Sequence, residues 1–215
     1  MPIDPAIARI RKEYQQQSLV EKDVDINPIQ QFANWWNAAL QSNIEEPNAM
    51  TLATCNVHGQ PTARIVLLKT FTKEGFVFFT NYESRKSVDI KGNPKAALLF
   101  FWKEIERQVR IEGDVIEINS QDSDDYFVSR PYSSKIGAWS SPQSQVIPGR
   151  EILEDNIKLF EEKFGDNDIT RPPYWGGYIV KPELMEFWQG RPGRLHDRIR
   201  YSLLDNKWKI ERLAP

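Results

Sequence analysis

The sequence predicts a mainly β fold with flanking helices: an antiparallel sheet closing into a barrel, with helices packed outside it. Three observations predict this. Short runs rich in β-branched and aromatic residues recur from Ala49 onward, separated by tight turns such as His58-Gly59. Few stretches could serve as the helical crossovers that parallel strands require. No Gly-x-Gly-x-x-Gly stands between a strand and a helix, which removes the usual dinucleotide-binding alternative.

Taken in order, residues 6–16 are charged and predicted helical with few core positions, and residues 1–20 are read as a mobile arm. Asn27-Pro28 is an N-cap and first-turn signal. Ile29, Phe32, Trp35, Trp36, Ala39 and Leu40 follow at helical spacing, giving an amphipathic helix to about residue 43. Strands are predicted at Met50–Asn56, Pro61–Thr70, Gly75–Asn81, Ala96–Trp102 and Arg107–Ile118. Ser84 is placed to cap a short helix that ends near Gly92-Asn93-Pro94. Ser120–Ser129 reads as a helix stopped by Arg130-Pro131, and Arg150–Phe164 as the clearest helix, with Leu153, Ile157, Phe160 and Phe164 on one face. The chain returns to strands at Tyr174–Lys181, Leu184–Gln189, Arg198–Leu204 and Lys207–Arg212.

The chain has 215 residues, 40% of them hydrophobic and 12% aromatic, which suffices for one domain spanning residues 1–215. Its 28 basic and 30 acidic residues argue against a nucleic-acid binder. Cys55 is the only cysteine and His58 and His196 the only histidines, so neither a disulfide framework nor a Cys/His metal site is expected. Cys55, in a strand, is expected to be a small buried hydrophobe rather than a nucleophile, and His58 a structural turn residue. The N-terminus lacks the charged and apolar regions of a secretory signal, and no apolar run reaches membrane-spanning length. The expectation is a cytoplasmic protein with no membrane and no nucleic-acid partner.

The stretch that carries most chemistry is Glu186-Phe187-Trp188-Gln189-Gly190-Arg191-Pro192-Gly193-Arg194-Leu195-His196-Asp197-Arg198. If the part after Gly193 is extended, Arg194, His196 and Arg198 share one face. Three potential cations beside an indole suit a flat, anionic, aromatic ligand. Arg-x-His-x-Arg alone would equally describe a surface strand with solvated charges. With Glu-Phe-Trp-Gln before it, the run closely resembles the signature of the pyridoxine (pyridoxamine) 5′-phosphate oxidase family. Met185 stands where that family usually has a branched aliphatic residue or Phe, a small change between hydrophobes of similar size.

The resemblance extends from about residue 10 to Pro215 and implies a split β-barrel that binds flavin mononucleotide (FMN). It implies oxidation of pyridoxamine or pyridoxine 5′-phosphate to pyridoxal 5′-phosphate, with oxygen as acceptor and hydrogen peroxide as product. Along Arg64-Ile65-Val66-Leu67-Leu68-Lys69, it assigns Arg64 and the intervening backbone to FMN and Lys69 to substrate as well. Phe79-Thr80 and Arg85-Lys86 fall at the FMN phosphate; a helix starting near Ser84 would offer free N–H groups there. Tyr126 and Arg130, at i and i+4, share a helix face. With Ser134 they match the family's cradle for the substrate phosphate. Gln108, Gln143 and Ser144 match contacts to the polar edge of the flavin.

Trp188 and Arg198 are likewise implied FMN contacts. Arg194, Leu195 and His196 are implied substrate contacts, with Arg194 and His196 catalytic. Arg11-Lys12-Glu13-Tyr14 resembles the family's N-terminal substrate-contacting segment, which would make the arm a lid. The resemblance also implies a homodimer with FMN at the interface. Two other classes stay open: a related split-barrel flavoprotein with a different substrate, and a non-catalytic carrier of FMN or pyridoxal phosphate.

Overall fold

The structure, a computed structural model, describes Ala6 and residues 13–215. The expected helical arm lies largely outside the described residues; Glu13–Gln16 are described and are not helical. The described residues contain nine strands and five α-helices, so the mainly β, helix-flanked class holds. The helices are α1 (Pro28–Leu40), α2 (Arg85–Gly92), α3 (Ser120–Val128), α4 (Tyr132–Ser140) and α5 (Glu151–Phe164). The strands are β1 (Ala49–Cys55), β2 (Pro61–Leu67), β3 (Thr70–Thr72), β4 (Gly75–Asn81), β5 (Lys95–Trp102), β6 (Arg107–Glu117), β7 (Trp175–Gln189), β8 (Asp197–Leu204) and β9 (Lys207–Arg212). The sheet runs β2-β1-β5-β6-β7-β4-β3, with β8 on β7 and β9 on β8. No helix among the described residues is long and apolar enough to cross a membrane.

The chain divides into two compact units, Met1–Pro47 with Leu99–Ile111 and Glu183–Pro215, and Asn48–Leu98 with Glu112–Pro182. In the first, Asn27 caps α1 by accepting from the Ile29 N–H at 2.9 Å. The helix buries Phe32, Trp35 and Ala39. Phe32 packs on Phe100 and Trp102, and Trp35 meets Phe187 edge-on at 5.2 Å. Full burial of each such ring contributes about 1.5–3 kcal/mol. Antiparallel β7·β8 and β8·β9 ladders, with Trp188 opposite Arg198, frame this core.

In the second unit, β1 and β2 pair antiparallel with Leu52 opposite Arg64, and β4 pairs with β7 with Phe79 opposite Gly177. β1 alternates buried and half-buried positions, the pattern of a sheet with one covered face. A separate cluster of Phe127, Ile136, Ile169 and Trp175 seats α3, α4 and α5. At Gly113, an added Cβ would lie 1.8 Å from the Lys181 carbonyl oxygen, so only glycine permits that backbone approach.

Five local expectations change. The run Pro61–Thr70 is two strands, because the chain leaves β2 at Leu68, whose N–H donates to Asn48 O at 2.9 Å. α4 was not foreseen: Pro131, read as a stop, occupies its N-cap with extended backbone. Tyr174–Lys181 and Leu184–Gln189 form one strand, β7, with Pro182 between the β4 and β8 ladders, where its missing N–H interrupts neither. Helix α1 ends at Leu40 rather than near 43, and Leu40 itself is exposed. Finally, Arg194 and His196 are not in a strand. Pro192–Arg194 is a 3-10 turn with Gly193 and Arg194 at φ of 62° and 61°, and β8 begins only at Asp197. Strand alternation therefore does not place Arg194 and His196 on a shared face with Arg198.

Candidate active site

The unit made of Asn48–Leu98 and Glu112–Pro182 contains an open cleft of about 600 Å³. Ile65, Val66, Leu67 and Lys69 line one part of it, from β2 and the residues after it. Phe79, Thr80 and Lys86 come from β4 and α2, Tyr126, Arg130 and Ser134 from α3 to α4, and Gln143 from the following loop. Eleven of the sequence-predicted site residues thus meet in one cavity.

Two groupings in the cleft are receptive to anions. In the first, the Lys86 ammonium donates to Thr80 Oγ1 at 3.0 Å, Ser84 Oγ at 3.0 Å and Gln143 Oε1 at 3.1 Å. Burial, and then the Arg64 charge, push Lys86 down to about 8. It lies in the first turn of α2, where unsatisfied N–H groups and the helix dipole favour an anion. Ser84 occupies the N-cap but gives no side-chain cap bond; its hydroxyl donates to Asn81 O at 2.7 Å instead.

The second grouping is built on an aromatic stack. Tyr126 lies on Phe79 with centroids 4.0 Å apart, and Phe79 on Trp175 at 5.4 Å. The Arg130 guanidinium sits 4.6 Å from the Trp175 ring centroid. Its Nη1 is buried without a hydrogen-bond partner, and burial lowers its pKa below the usual arginine range. Lys69 Nζ stands 6.0 Å from the Tyr126 ring centroid, and Ser134 lies in the first turn of α4.

Other predicted residues of this unit stand outside the cleft lining. The Arg64 guanidinium donates to Leu52 O at 3.0 Å, to Thr54 Oγ1 at 2.8 Å and to the Thr62 hydroxyl. Arg85 pairs with Asp89 at 3.0 Å. Leu68 is buried, and Ser144 is exposed with φ of 71°.

The remaining predicted residues belong to the other unit. Trp188 and His196 pack with centroids 4.6 Å apart, and Tyr14 meets them at 5.6 and 5.9 Å. His196 Nδ1 accepts from the Arg191 N–H at 3.1 Å, so the neutral ring carries its proton on Nε2. Burial, and then Arg194, hold His196 below the usual imidazole range. Arg194, Leu195 and Glu13 are exposed, and Gln108 is half-buried on β6. Arg198 donates to both oxygens of Glu186, at 2.8 and 3.1 Å. Arg11 and Lys12 lie outside the described residues.

Sequence reasoning missed Trp175, Gly137, Ala138 and Ser141 in the cleft lining. Trp175 carried a usable signal, an aromatic immediately before Gly176-Gly177, but sequence reasoning gave it no role beyond membership of the predicted strand Tyr174–Lys181. It also gave no role to Glu186, which is buried and binds Arg110 at 2.8 Å as well as Arg198.

Residues 37–164 match a family model described as pyridoxamine 5′-phosphate oxidase. Residues 175–215 match one described as the pyridoxine 5′-phosphate oxidase C-terminal dimerisation region. A protein of Cyanothece sp. (strain PCC 7425) named pyridoxine/pyridoxamine 5′-phosphate oxidase is 55% identical over 210 residues, covering 98% of this chain and 99% of the relative. Among solved structures, PhzG from Burkholderia lata 383, in complex with tetrahydrophenazine-1-carboxylic acid, is 28% identical with a TM-score of 0.86, covering 92% of this chain and 98% of that one. A pyridoxamine 5′-phosphate oxidase-related, FMN-binding protein from Nostoc punctiforme, 20% identical with a TM-score of 0.68, covers 86% of this chain and 97% of that one and shares the expected split-barrel fold. The chain belongs to the pyridoxamine 5′-phosphate oxidase family.

Proposed function

We propose that the protein is an FMN-dependent oxidase converting pyridoxamine or pyridoxine 5′-phosphate to pyridoxal 5′-phosphate. One observation carries the reading: the buried Arg130 Nη1, without a partner, shares a cleft with Tyr126, Ser134 and Lys69 and with the Lys86 grouping. A buried guanidinium nitrogen left unpaired is costly unless a ligand completes it. Two phosphate-receptive groupings match a pair of phosphates, one on cofactor and one on substrate.

The residues present fit FMN. Lys86, Thr80 and the first turn of α2 would hold its phosphate, while the β2 backbone at Ile65–Leu67 and Gln143 would meet the ring and its polar edge. Trp188 and Arg198 supply further flavin contacts in the proposal, in a homodimer with FMN at the interface; the matched dimerisation region supports that assembly. The chemistry the cofactor supplies when bound is acceptance of a hydride from substrate C4′, with oxygen as terminal acceptor and hydrogen peroxide as product. With the amine substrate, water is consumed and ammonia released.

This chain's residues bind and orient. Arg130, Tyr126, Ser134 and Lys69 hold the substrate phosphate, and neutral His196 presents an Nε2 donor while Arg194 adds positive charge. Holding reactants in attack geometry contributes on the order of 7–11 kcal/mol. Phosphate-directed cations favour this reading over a substrate of the kind bound to PhzG, which carries a carboxylate. Mixing the FMN-loaded protein with pyridoxamine phosphate in air should release one peroxide per pyridoxal phosphate formed. FMN loading without peroxide or aldehyde points instead to a carrier, and oxidation of other substrates alone to a related flavoprotein.

A further inference from the structure

Glu106 stands apart from every role assigned above. It closes the turn between β5 and β6 in a left-handed backbone conformation, with φ of 56°, which glycine or asparagine would adopt at lower cost. Yet the position holds a glutamate that is only 2% exposed. One carboxylate oxygen accepts from two successive backbone N–H groups, Gln15 at 2.9 Å and Gln16 at 3.2 Å. Its main-chain oxygen accepts from the Gly190 N–H at 2.8 Å and from Gln189 Nε2 at 3.1 Å. Glu106 therefore joins the N-terminal segment to the beginning of the signature turn.

The residue just before those two amides is Tyr14, edge-on to Trp188. Gly190 makes its position available: a Cβ there would lie 2.7 Å from Tyr14 Cγ and 3.1 Å from Glu106 Cβ. Secondary ties run the same way. Gln16 Nε2 donates to Glu104 O at 2.9 Å, Arg191 Nη1 to Gln17 O at 3.1 Å, and the Leu19 N–H to Asp197 at 3.0 Å. The first two are exposed contacts to neutral carbonyls. Asp197 is, like Glu106, a charged and partly buried acceptor, but Glu106 alone among these gathers two successive N–H groups on one carboxylate oxygen while its main chain holds Gly190.

We propose that Glu106 is a positioning residue, a latch that fastens residues 13–17 to the signature turn and so sets Tyr14 against Trp188 and His196. Its effect on turnover, through access and fit of the phosphorylated aromatic substrate, rests on the function proposed above; the latch itself does not.

Glu106→Gly tests it, because glycine removes the carboxylate and relieves the left-handed backbone, so the fold is expected to survive. On the FMN-loaded protein, hydrogen exchange at Gln15 and Gln16 should quicken about tenfold or more, as loss of a local tie predicts. With pyridoxamine phosphate, KM should rise about 5–20-fold while kcat changes less than about twofold, as expected when binding is lost uniformly. Tyr14→Ala should raise KM similarly, and the double variant should be no worse than either alone, the mark of residues acting as a unit. Unchanged exchange, or KM effects that multiply, overturns the latch. Quickened exchange in a protein that never oxidises pyridoxamine phosphate upholds the latch and overturns the substrate reading.

Discussion

The guanidinium of Arg130 lies over the indole of Trp175, 4.6 Å from the ring centroid, with its Nη1 buried and unpaired. The cation–π contact helps to hold the guanidinium in place, and the unpaired Nη1 remains for a ligand. A phosphate is the natural partner, since arginine binds it bidentately. Arg130→Ala should therefore lower kcat/KM for pyridoxamine phosphate by roughly 10- to 150-fold, the equivalent of about 1.5–3 kcal/mol for a charge-assisted contact. Arg130→Lys should recover only part of this, because an ammonium keeps the charge and loses the fork. Steady-state kinetics at saturating FMN decides; an alanine variant with unaltered kcat/KM shows that the phosphate lies elsewhere.

If Lys86 holds the FMN phosphate as proposed, cofactor binding should depend on pH. Burial lowers the unliganded ammonium to about 8, and a bound phosphate favours the charged form and raises it again. The charged form predominates below pH 8, so FMN affinity should be level there. Above it, binding must also take up a proton, and affinity should weaken as pH rises. Flavin fluorescence titrations from about pH 6.5 to 9.5 measure this. Lys86→Met should bind FMN weakly with that slope abolished; an identical slope in the variant assigns the proton to another group.

Glu186 tests whether Arg198 needs a support. The buried carboxylate is shared by Arg110 and Arg198, each at 2.8 Å, while both guanidinium groups keep some solvent contact. Glu186→Gln preserves shape but withdraws the counter-charge from two cations. Removing one member of a fully buried pair costs about 3–5 kcal/mol, and partial exposure here scales that to roughly 1–3 kcal/mol. Urea denaturation should show the midpoint falling. FMN retention should weaken too, although less than in Arg198→Ala, where the proposed flavin contact itself is gone. A variant with wild-type midpoint and retention would mean that Arg198 holds its place by other contacts.

Much of this organisation could be read from residue order, where local chemistry dominates. β4 and β9 were predicted residue for residue, the first bounded by Gly75 and a polar turn and the second by the Asp205-Asn206 turn, whose residues have φ of 49° and 60°. Asn27-Pro28 marked the start of α1 for the same reason. Failures came where one residue supports two outcomes. Pro131 ends α3's reach and also begins α4, and Pro182 sits inside β7 because the strand's partners change beside it. The Pro192-Gly193 turn defeated strand alternation by placing Arg194 in left-handed backbone. Pairings such as Glu186 with Arg110, 76 residues apart, leave no local trace in the sequence. The cleft residues, and their division into a Lys86 set and an Arg130 set, were legible chiefly through family resemblance; the Trp175 ring beside Arg130 and the Gln143 amide on Lys86, 45 and 57 residues away, left no local trace.

The proposed function divides the signature turn between substrate and cofactor. Arg194 is exposed at the end of the 3-10 turn, whereas His196 is held by the Arg191 N–H and the Trp188 ring, and Arg198 is engaged by Glu186. Arg194→Ala should cost about 2–4 kcal/mol in kcat/KM for pyridoxamine phosphate while FMN affinity stays nearly intact, as removal of one well-placed charge would. His196→Ala should act in the same direction but less severely, and Arg198→Ala should weaken FMN retention instead. His196 also predicts an acid limb. Its folded pKa lies below the ordinary 6.5, so the neutral ring is present above that value and is lost as pH falls through the lower one. Protonation turns Nδ1 from acceptor to donor, which breaks the Arg191 bond and adds a cation beside Arg194. The pH profile of kcat/KM should therefore drop on the acid side with a midpoint below 6.5, and His196→Ala should lack that limb. An unchanged acid limb in His196→Ala would assign it to substrate or cofactor, and an Arg194→Ala variant that loses FMN but turns over normally at saturating FMN would reverse the division proposed for this turn.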